Sequence, residues 1–409
     1  MNNSRKIAYY FNSGNYSIHL SCGEPVIMKK VLILVFSNLN KDARVSRQVE
    51  FLKGLYHIDV ACYEATPEGF TVFPIRRPKL TLVNKVIIGV LLLFQQFERA
   101  IGLLYNYKNI LKQLAGQSYD LIIANDIETL SLAFQLKKPQ TKIIFDAHEY
   151  APRHFEDKLI WRLLFQPMNI CLCKKYIPKT DGMITIGKGL ADEYRKNFHV
   201  DPVIITNASQ LHPLQPSAVN PAAIRLVHHG IATPSRRLEL MIEMMEYLDD
   251  RFTLDMYLLS EGFSAQKTIQ YPEELKQLAA KTKRVNILPP IKRELIVSTI
   301  NHYDIGIFLI PPVNFNYANT LPNKFFDFIQ ARLAVAVGPT PEMAEIVRQY
   351  KLGVIAEDFT PEGMAAEIQK LTIEEINTYK MNADKAAFDL SAESNKVKLN
   401  ALVAGVLHA

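Results

Sequence analysis

Short apolar runs alternating with amphipathic stretches recur in two blocks of this chain, and that rhythm limits its fold more than any other feature. Val31 to Phe36 is a continuous apolar run, as a strand covered on both faces of a parallel sheet requires. After it comes a polar loop, then a helix with Val45, Val49 and Leu52 at helical spacing. Further strands are expected at 57–63, 121–124, 143–145, 183–186 and 203–206, with helical stretches between most of them. Such alternation predicts a doubly wound parallel sheet. A Pro-bearing polar stretch, Leu211 to Pro221, then interrupts the pattern as a linker would. Beyond it the rhythm resumes, with strands expected at 226–228, 253–259, 285–288, 305–309, 334–337 and 354–356.

At 409 residues the chain can hold two domains that each bury a substantial core. The expected division is an extension over 1–27, a first domain over 28–210, the linker over 211–221, a second domain over 222–388 and a closing helix over 389–409. Met28-Lys29-Lys30 before the first apolar run reads as a fresh start, which makes 1–27 an extension. Through Gln210 the chain carries 27 Lys and Arg against 18 Asp and Glu, and from Leu211 onward 20 against 23. The excess on the first half points to an anionic partner, either a membrane surface or an acidic acceptor. Nucleic acid is not expected, because the basic excess is moderate and no known module accompanies it. Cys22, Cys62, Cys171 and Cys173 have neither metal-ligand spacing nor a disulfide framework, which suits a reducing cytoplasm. The longest apolar run, Val86 to Phe94, is too short to span a bilayer, and no signal-peptide core is present. Hydride transfer is disfavoured, since no G-x-G-x-x-G follows an early strand.

Function concentrates between Asn314 and Met343, in NFNYANTLPNKFFDFIQARLAVAVGPTPEM. A strand there feeds a polar loop and a helix that Pro322 can start, because proline costs little in a first turn. The free N–H groups and positive dipole end of such a helix favour a phosphate. Asn323, Lys324 and Asp327 share one helix face, while Phe325, Phe328 and Ile329 turn inward. Asp327 would repel a phosphate but suits sugar hydroxyls, such as those of a ribose. The plain alternative is a capped helix with a solvated polar face.

P-N-K-F-F-D-F at 322–328, the strand A-V-A-V-G and the following P-E-M resemble the donor segment of retaining glycosyltransferases of family 4. That resemblance implies the GT-B fold: two doubly wound Rossmann-like domains facing each other across a cleft. It also implies transfer of a sugar, with retention, from a nucleotide-diphosphate sugar to a glycan or lipid-linked acceptor. Surface or capsular polysaccharide biosynthesis would be the setting, with no cofactor and no metal. The family's Glu-x7-Glu pair falls here on Asn319, facing the donor sugar, and Asp327, facing ribose. Thr320, Leu321 and Asn323 would line the same donor site. HHGIATPSRRLEL, from His228, is similar to the family's glycine-ended strand and R-G-L-E element. Gly230 would then lie near the donor and Arg236 would grip the diphosphate, where charge accumulates as the glycosidic bond breaks. Two solvated arginines in a first helical turn are the alternative. Lys324 would join Arg236, or be a surface lysine, and Glu261 sits in a loop near the base or in a simple turn.

In the first domain, Asp146-Ala147-His148-Glu149 resembles the family's D-x-H-E segment. His148 would address the donor sugar and Glu149 the acceptor, with structural roles as alternatives. Asp42-Ala43-Arg44-Val45 resembles the family's D-x-R-V element, which places Asn40, Asp42 and Arg44 on the acceptor side; for Arg44 a helix-face ion pair is the alternative. Asp126, at the end of another strand, would face the acceptor or cap a helix. From Arg76 to Leu114 and again around Trp161, basic residues flank apolar helices. These could lie on anionic lipid at the inner face of the membrane, or simply cover the sheet. Two rival functions stay open: an epimerase or hydrolase of nucleotide sugars on the same fold, and a non-catalytic nucleotide-sugar-binding scaffold.

Overall fold

The computed structural model describes residues 5–12, 15–22, 28–259 and 266–409. In the N-terminal extension β1 (Arg5–Asn12) pairs antiparallel with β2 (Asn15–Cys22). The first domain then contributes β3 (Lys30–Leu34), β4 (His57–Cys62), β5 (Thr71–Pro74), β6 (Leu121–Asn125), β7 (Lys142–Ala147), β8 (Gly182–Thr185) and β9 (Val203–Ile204). They form one parallel sheet in the order β5-β4-β3-β6-β7-β8-β9. The second domain builds its sheet from β10 (Ile224–Ile231), β11 (Phe252–Leu259), β12 (Val285–Leu288), β13 (Ile305–Phe308), β14 (Ala334–Val337) and β15 (Gly353–Ile355). Its order is β12-β11-β10-β13-β14-β15, again parallel throughout.

Alternating residues of β3 feed two cores. Val31 and Ile33 pack with Val45, Val49 and Leu52 of the helix Ala43–Leu52, while Leu32 and Leu34 enter the opposite layer. The final helix, Ala392–His408, also crosses to this domain, burying Leu399, Val403 and Val406 in the first of those layers. Its start is tied to the interdomain segment, where Ala392 N–H donates to Ser209 O at 2.8 Å. The chain order reverses between β3 and β6 in one sheet and between β10 and β13 in the other. Crevices beyond the carboxyl ends of strands at such reversals are where doubly wound sheets bind ligands.

The expected strands all form, with ends shifted by a few residues. β5 was not expected: Thr71–Pro74 is short, half-exposed and ends in proline, as only an edge strand tolerates. The second core is dominated by the helix Asn323–Gln330, whose Phe325, Phe326, Phe328 and Ile329 are fully buried. Each such burial contributes roughly 1.5–3 kcal/mol. Gly306 in β13 makes room for it, since a Cβ there would fall 2.3 Å from the Phe328 ring. Gly306→Ala should therefore destabilise the second domain by about 1–3 kcal/mol in urea unfolding. An unchanged midpoint would show that the ring yields freely.

Candidate functional site

The carboxyl ends of both sheets open on a cleft made of three adjoining cavities. The largest, about 750 Å³, lies on the second domain and is lined by Gly230, Arg236, Thr320, Leu321, Asn323, Lys324 and Asp327. A second, about 300 Å³, shares Arg236, Thr320 and Lys324 with it and adds His148 and Glu149. The third, about 570 Å³, is a mouth on the first domain lined by Asp42, Arg44, Arg77 and again His148. Asn207 touches all three.

Gly230, next to last in β10, has φ +137°, and a Cβ there would meet Lys324 Nζ at 2.6 Å and Arg236 Nη1 at 3.6 Å. Two cations thus converge on a bare backbone position at the reversal of the second sheet. Arg236 donates to Ile231 O at 3.1 Å, and burial lowers its pKa against the pull of nearby Tyr317. Lys324 is buried, with Nζ 3.3 Å from His228 Nε2 and 5.4 Å from the Phe308 ring centre. His228 Nδ1 lies 2.8 Å from Ile307 O, so it carries the proton and leaves Nε2 to accept from the ammonium. Burial and then Lys324 hold His228 far below the usual imidazole pKa, which fits that neutral form. Burial and the neighbouring Arg236 likewise push Lys324 far below the ordinary lysine value, with Asp327 opposing. An anion in the cleft would reverse both penalties.

Asp327 lies on the next turn of the same helix, buried, with Oδ1 accepting from Ser209 Oγ and Oδ2 3.4 Å from His229 Nε2. The latter pair is not aligned as a hydrogen bond. Burial and then Lys324 lower His229 to about 3, so it is neutral, and burial raises Asp327 to about 6 against the pull of Ser209, Arg47 and Arg293. A neutral imidazole beside a raised carboxyl leaves room for a hydroxyl-bearing ligand to supply the missing donors.

In the first domain the DAHE segment ends β7 in a continuous polar chain. Arg44 clasps Asp146 through Nε at 3.2 Å and Nη2 at 2.6 Å, Gln48 donates to Asp146 at 3.0 Å, and Asn125 donates to Gln48 at 3.1 Å. His148 closes the chain, with Nε2 3.2 Å from Asn125 Oδ1 and Nδ1 3.1 Å from Asp126 Oδ2. Both partners are acceptors, which favours the protonated ring. Burial alone would lower its pKa, but Asp126 and Asp146 raise it above the usual value. Asp126 stands at φ +62°, a strained position for a non-glycine residue, and its carboxylate also accepts His148 N–H at 3.1 Å.

Several expected roles shift accordingly. Asp126 makes no capping bond to the helix Ile127–Leu136 and instead orients His148. Arg44 is largely an anchor: its Nη1 also donates to Ile205 O at 2.7 Å and to Asn207 Oδ1 at 3.3 Å, although it still lines the first-domain mouth. Asp42 caps its helix, accepting from Val45 N–H at 3.1 Å and Ser37 Oγ at 2.7 Å. Asn40 lies outside the lining and accepts from Thr66 N–H at 3.0 Å. Glu149 lines the middle cavity and pairs with His154 at 2.8 Å. Asn319 does not face the cleft, because its amide donates to Phe315 O at 2.9 Å and its oxygen abuts Gly189. Glu261 lies outside the described residues.

Sequence reasoning missed what the fold brings from a distance. Arg47, Arg293, Ser209 and Asn207 line the largest cavity from three separate parts of the chain. Burial, then Arg293 and Arg44, lower Arg47 to about 10, and its Nη2 has no protein partner. Asn316 joins the domains, accepting from Tyr150 N–H at 2.7 Å and donating to Tyr150 O at 3.3 Å. Glu342 accepts from Lys188 N–H at 2.9 Å and from Gly189 N–H, at the first turn of the helix Lys188–Phe198. Glycine at 187 and 189 is what lets that carboxylate approach, since a Cβ at either would overlap it. Among the described residues no group of three or more His, Cys, Asp or Glu is arranged to hold a metal ion.

Sucrose-phosphate synthase from Thermosynechococcus elongatus superposes with a TM-score of 0.70 at 12% identity, over 93% of this chain and 99% of that one. The fold is GT-B. A glycosyltransferase from Rickettsia africae matches with a TM-score of 0.66 at 12% identity, covering 93% of this chain and 99% of its own. HepE from Anabaena, in complex with UDP-glucose, gives 0.65 at 12% identity over 92% of this chain and all of its own (100%). No protein-family model and no curated protein sequence matches the chain.

Because Asp327 titrates near 6 in the fold, above its ordinary 3.8, ionising it weakens the fold as pH rises from about 4 through 6. Asp327→Asn should flatten that dependence and raise the stability of the ligand-free protein at pH 7 by up to about 3 kcal/mol. Equal melting curves for parent and variant from pH 5 to 8 would refute the strained-carboxylate description.

Proposed function

We propose that this GT-B chain is a glycosyltransferase that moves a sugar from a nucleotide-diphosphate donor to a glycan or lipid-linked acceptor with retention. The observation that carries it is the convergence of Lys324 and Arg236 over Gly230, two cations with a shared need for an anion. As the bond from the sugar C1 to the diphosphate oxygen breaks, negative charge grows on that oxygen, and the two cations stabilise it. They supply the charge that a divalent ion supplies in other transferases, so the reading is metal-independent. The acceptor hydroxyl attacks from the same face, forms the new C1–O bond and gives its proton to the departing phosphate. Asp327 accepts from the ribose hydroxyls in this scheme. His148, held by Asn125 and Asp126, acts as a positioned polar group between donor and acceptor sides rather than as a base. Assembly of surface or capsular polysaccharide is the setting we favour.

A binding-only scaffold is the second reading, favoured by Asn319, which stands where the resembled family has an acid and turns its amide away from the cleft. The two readings part at turnover. UDP is the first probe, because HepE is solved with UDP-glucose. UDP should raise the melting temperature, and Arg236→Ala and Asp327→Ala should each abolish most of that rise. Arg236→Ala should also lower kcat by about 10²–10³-fold on any accepted donor. A UDP-induced shift without consumption of UDP-sugars, with or without glycan acceptors, would favour the scaffold. Consumption that no acceptor accelerates would indicate a hydrolase or epimerase.

A further inference from the structure

The first domain carries an apolar face that no described residue covers. In the helix Leu82–Leu93 only Ile88 and Leu92 are buried. Leu82 is 78% exposed and Leu93 69%, and Phe94, just past the helix end, is 75%. This helix packs beside Leu159–Tyr176, whose first turns present Ile160 at 71% and Leu163 at 66%. The sequence left open whether these helices merely cover the sheet. Leu82–Leu93 does so with one narrow stripe and turns its larger apolar part outward, while Leu159–Tyr176 packs inward except for the apolar residues of its first turns.

The charge around this face has one sign. No Asp or Glu occurs from Thr71 to Phe97 or from Lys158 to Thr180, while Arg76, Lys79, Lys85, Lys158 and Arg162 are all exposed there. The nearest carboxylates before the second helix are already engaged, Glu156 by Arg153 and Asp157 by Asn314. Trp161, the single tryptophan of the chain, sits half-exposed among them, as an aromatic ring at a headgroup boundary would. A second copy of the chain is a poor cover, because two such faces would oppose their cations with no acid to pair them. Among the described residues no helix is long and apolar enough to cross a membrane, so the face can lie on a bilayer but not enter as a span.

We propose that the outward face of Leu82–Leu93 and the start of Leu159–Tyr176 docks on an anionic lipid bilayer. Exposed aliphatic side chains enter the acyl boundary while the flanking cations meet lipid phosphates. The geometry also sets where the cleft opens. Arg77, five residues before the first helix, stacks over Tyr63 at 4.3 Å and lines the 570 Å³ mouth. Docking brings that mouth to the headgroup layer. The inference does not rest on sugar transfer and reads binding alone.

Flotation of the full chain with phosphatidylcholine vesicles, and with vesicles holding about a third phosphatidylglycerol, tests it at low and high salt. The anionic vesicles should bind at least tenfold more protein, and 0.5 M salt should remove most of it. Each of Lys79→Ala and Lys85→Ala should weaken binding about fivefold on anionic vesicles. Leu82→Ser with Leu93→Ser and Ile160→Ser should abolish it while leaving the melting temperature and the UDP-induced shift at parental values. Equal binding to both vesicle types, or parental binding by the serine variant, overturns the proposal. So does a concentration-dependent dimer in sedimentation equilibrium that the serine variant dissolves, since a second copy would then be the occupant.

Discussion

Two basic side chains held over one glycine set the terms for the second domain. Like charges repel, and burial makes an ammonium more expensive, so Lys324 and Arg236 would separate if the scaffold allowed it. It does not. Lys324 projects from a helix whose other side is four buried apolar side chains, and Arg236 is fastened through Ile231 O. Even the supporting histidine is set in one tautomer by a strand carbonyl. The arrangement keeps strain in the empty state and relieves it when an anion arrives, as preorganised binding of a diphosphate requires.

The first domain answers with a different economy of charge. Its chain from Arg44 through Asp146, Gln48 and Asn125 to His148 and Asp126 is internally satisfied, with acids and bases matched nearly one to one. Such a chain fixes the position of its last member more than it offers groups to a ligand. The division suits a cleft in which one wall binds tightly and the other shapes the approach.

Most of the fold was legible in the sequence because parallel strands buried on both faces leave continuous apolar runs. β5 escaped because an edge strand of four residues ending in proline leaves none. At the site, Gly230, Arg236, Lys324 and Asp327 were legible because they lie on local strand-loop-helix motifs. Asn40, Asp42 and Arg44 were placed on the acceptor side; Asp42 and Arg44 line the first-domain mouth, while turn-making, capping and anchoring occupy the same side chains. Arg47, Ser209 and Arg293 could not be found, since their meeting depends on how two domains and a crossing helix sit together. Asn319 was placed by register, but a short turn of helix ending there directs its amide back to Phe315 O.

The loop that lines the two inner cavities also bridges the two domains. Asn316 grips both backbone groups of Tyr150 across the domain boundary, three residues before Asn319 and eight before Lys324. Swinging the domains apart would break those bonds and displace the Lys324 side of the cleft with them. Opening the cleft and loosening the domain boundary are thus one mechanical event, so whatever occupies the cleft can leave only as fast as a rigid-body step allows.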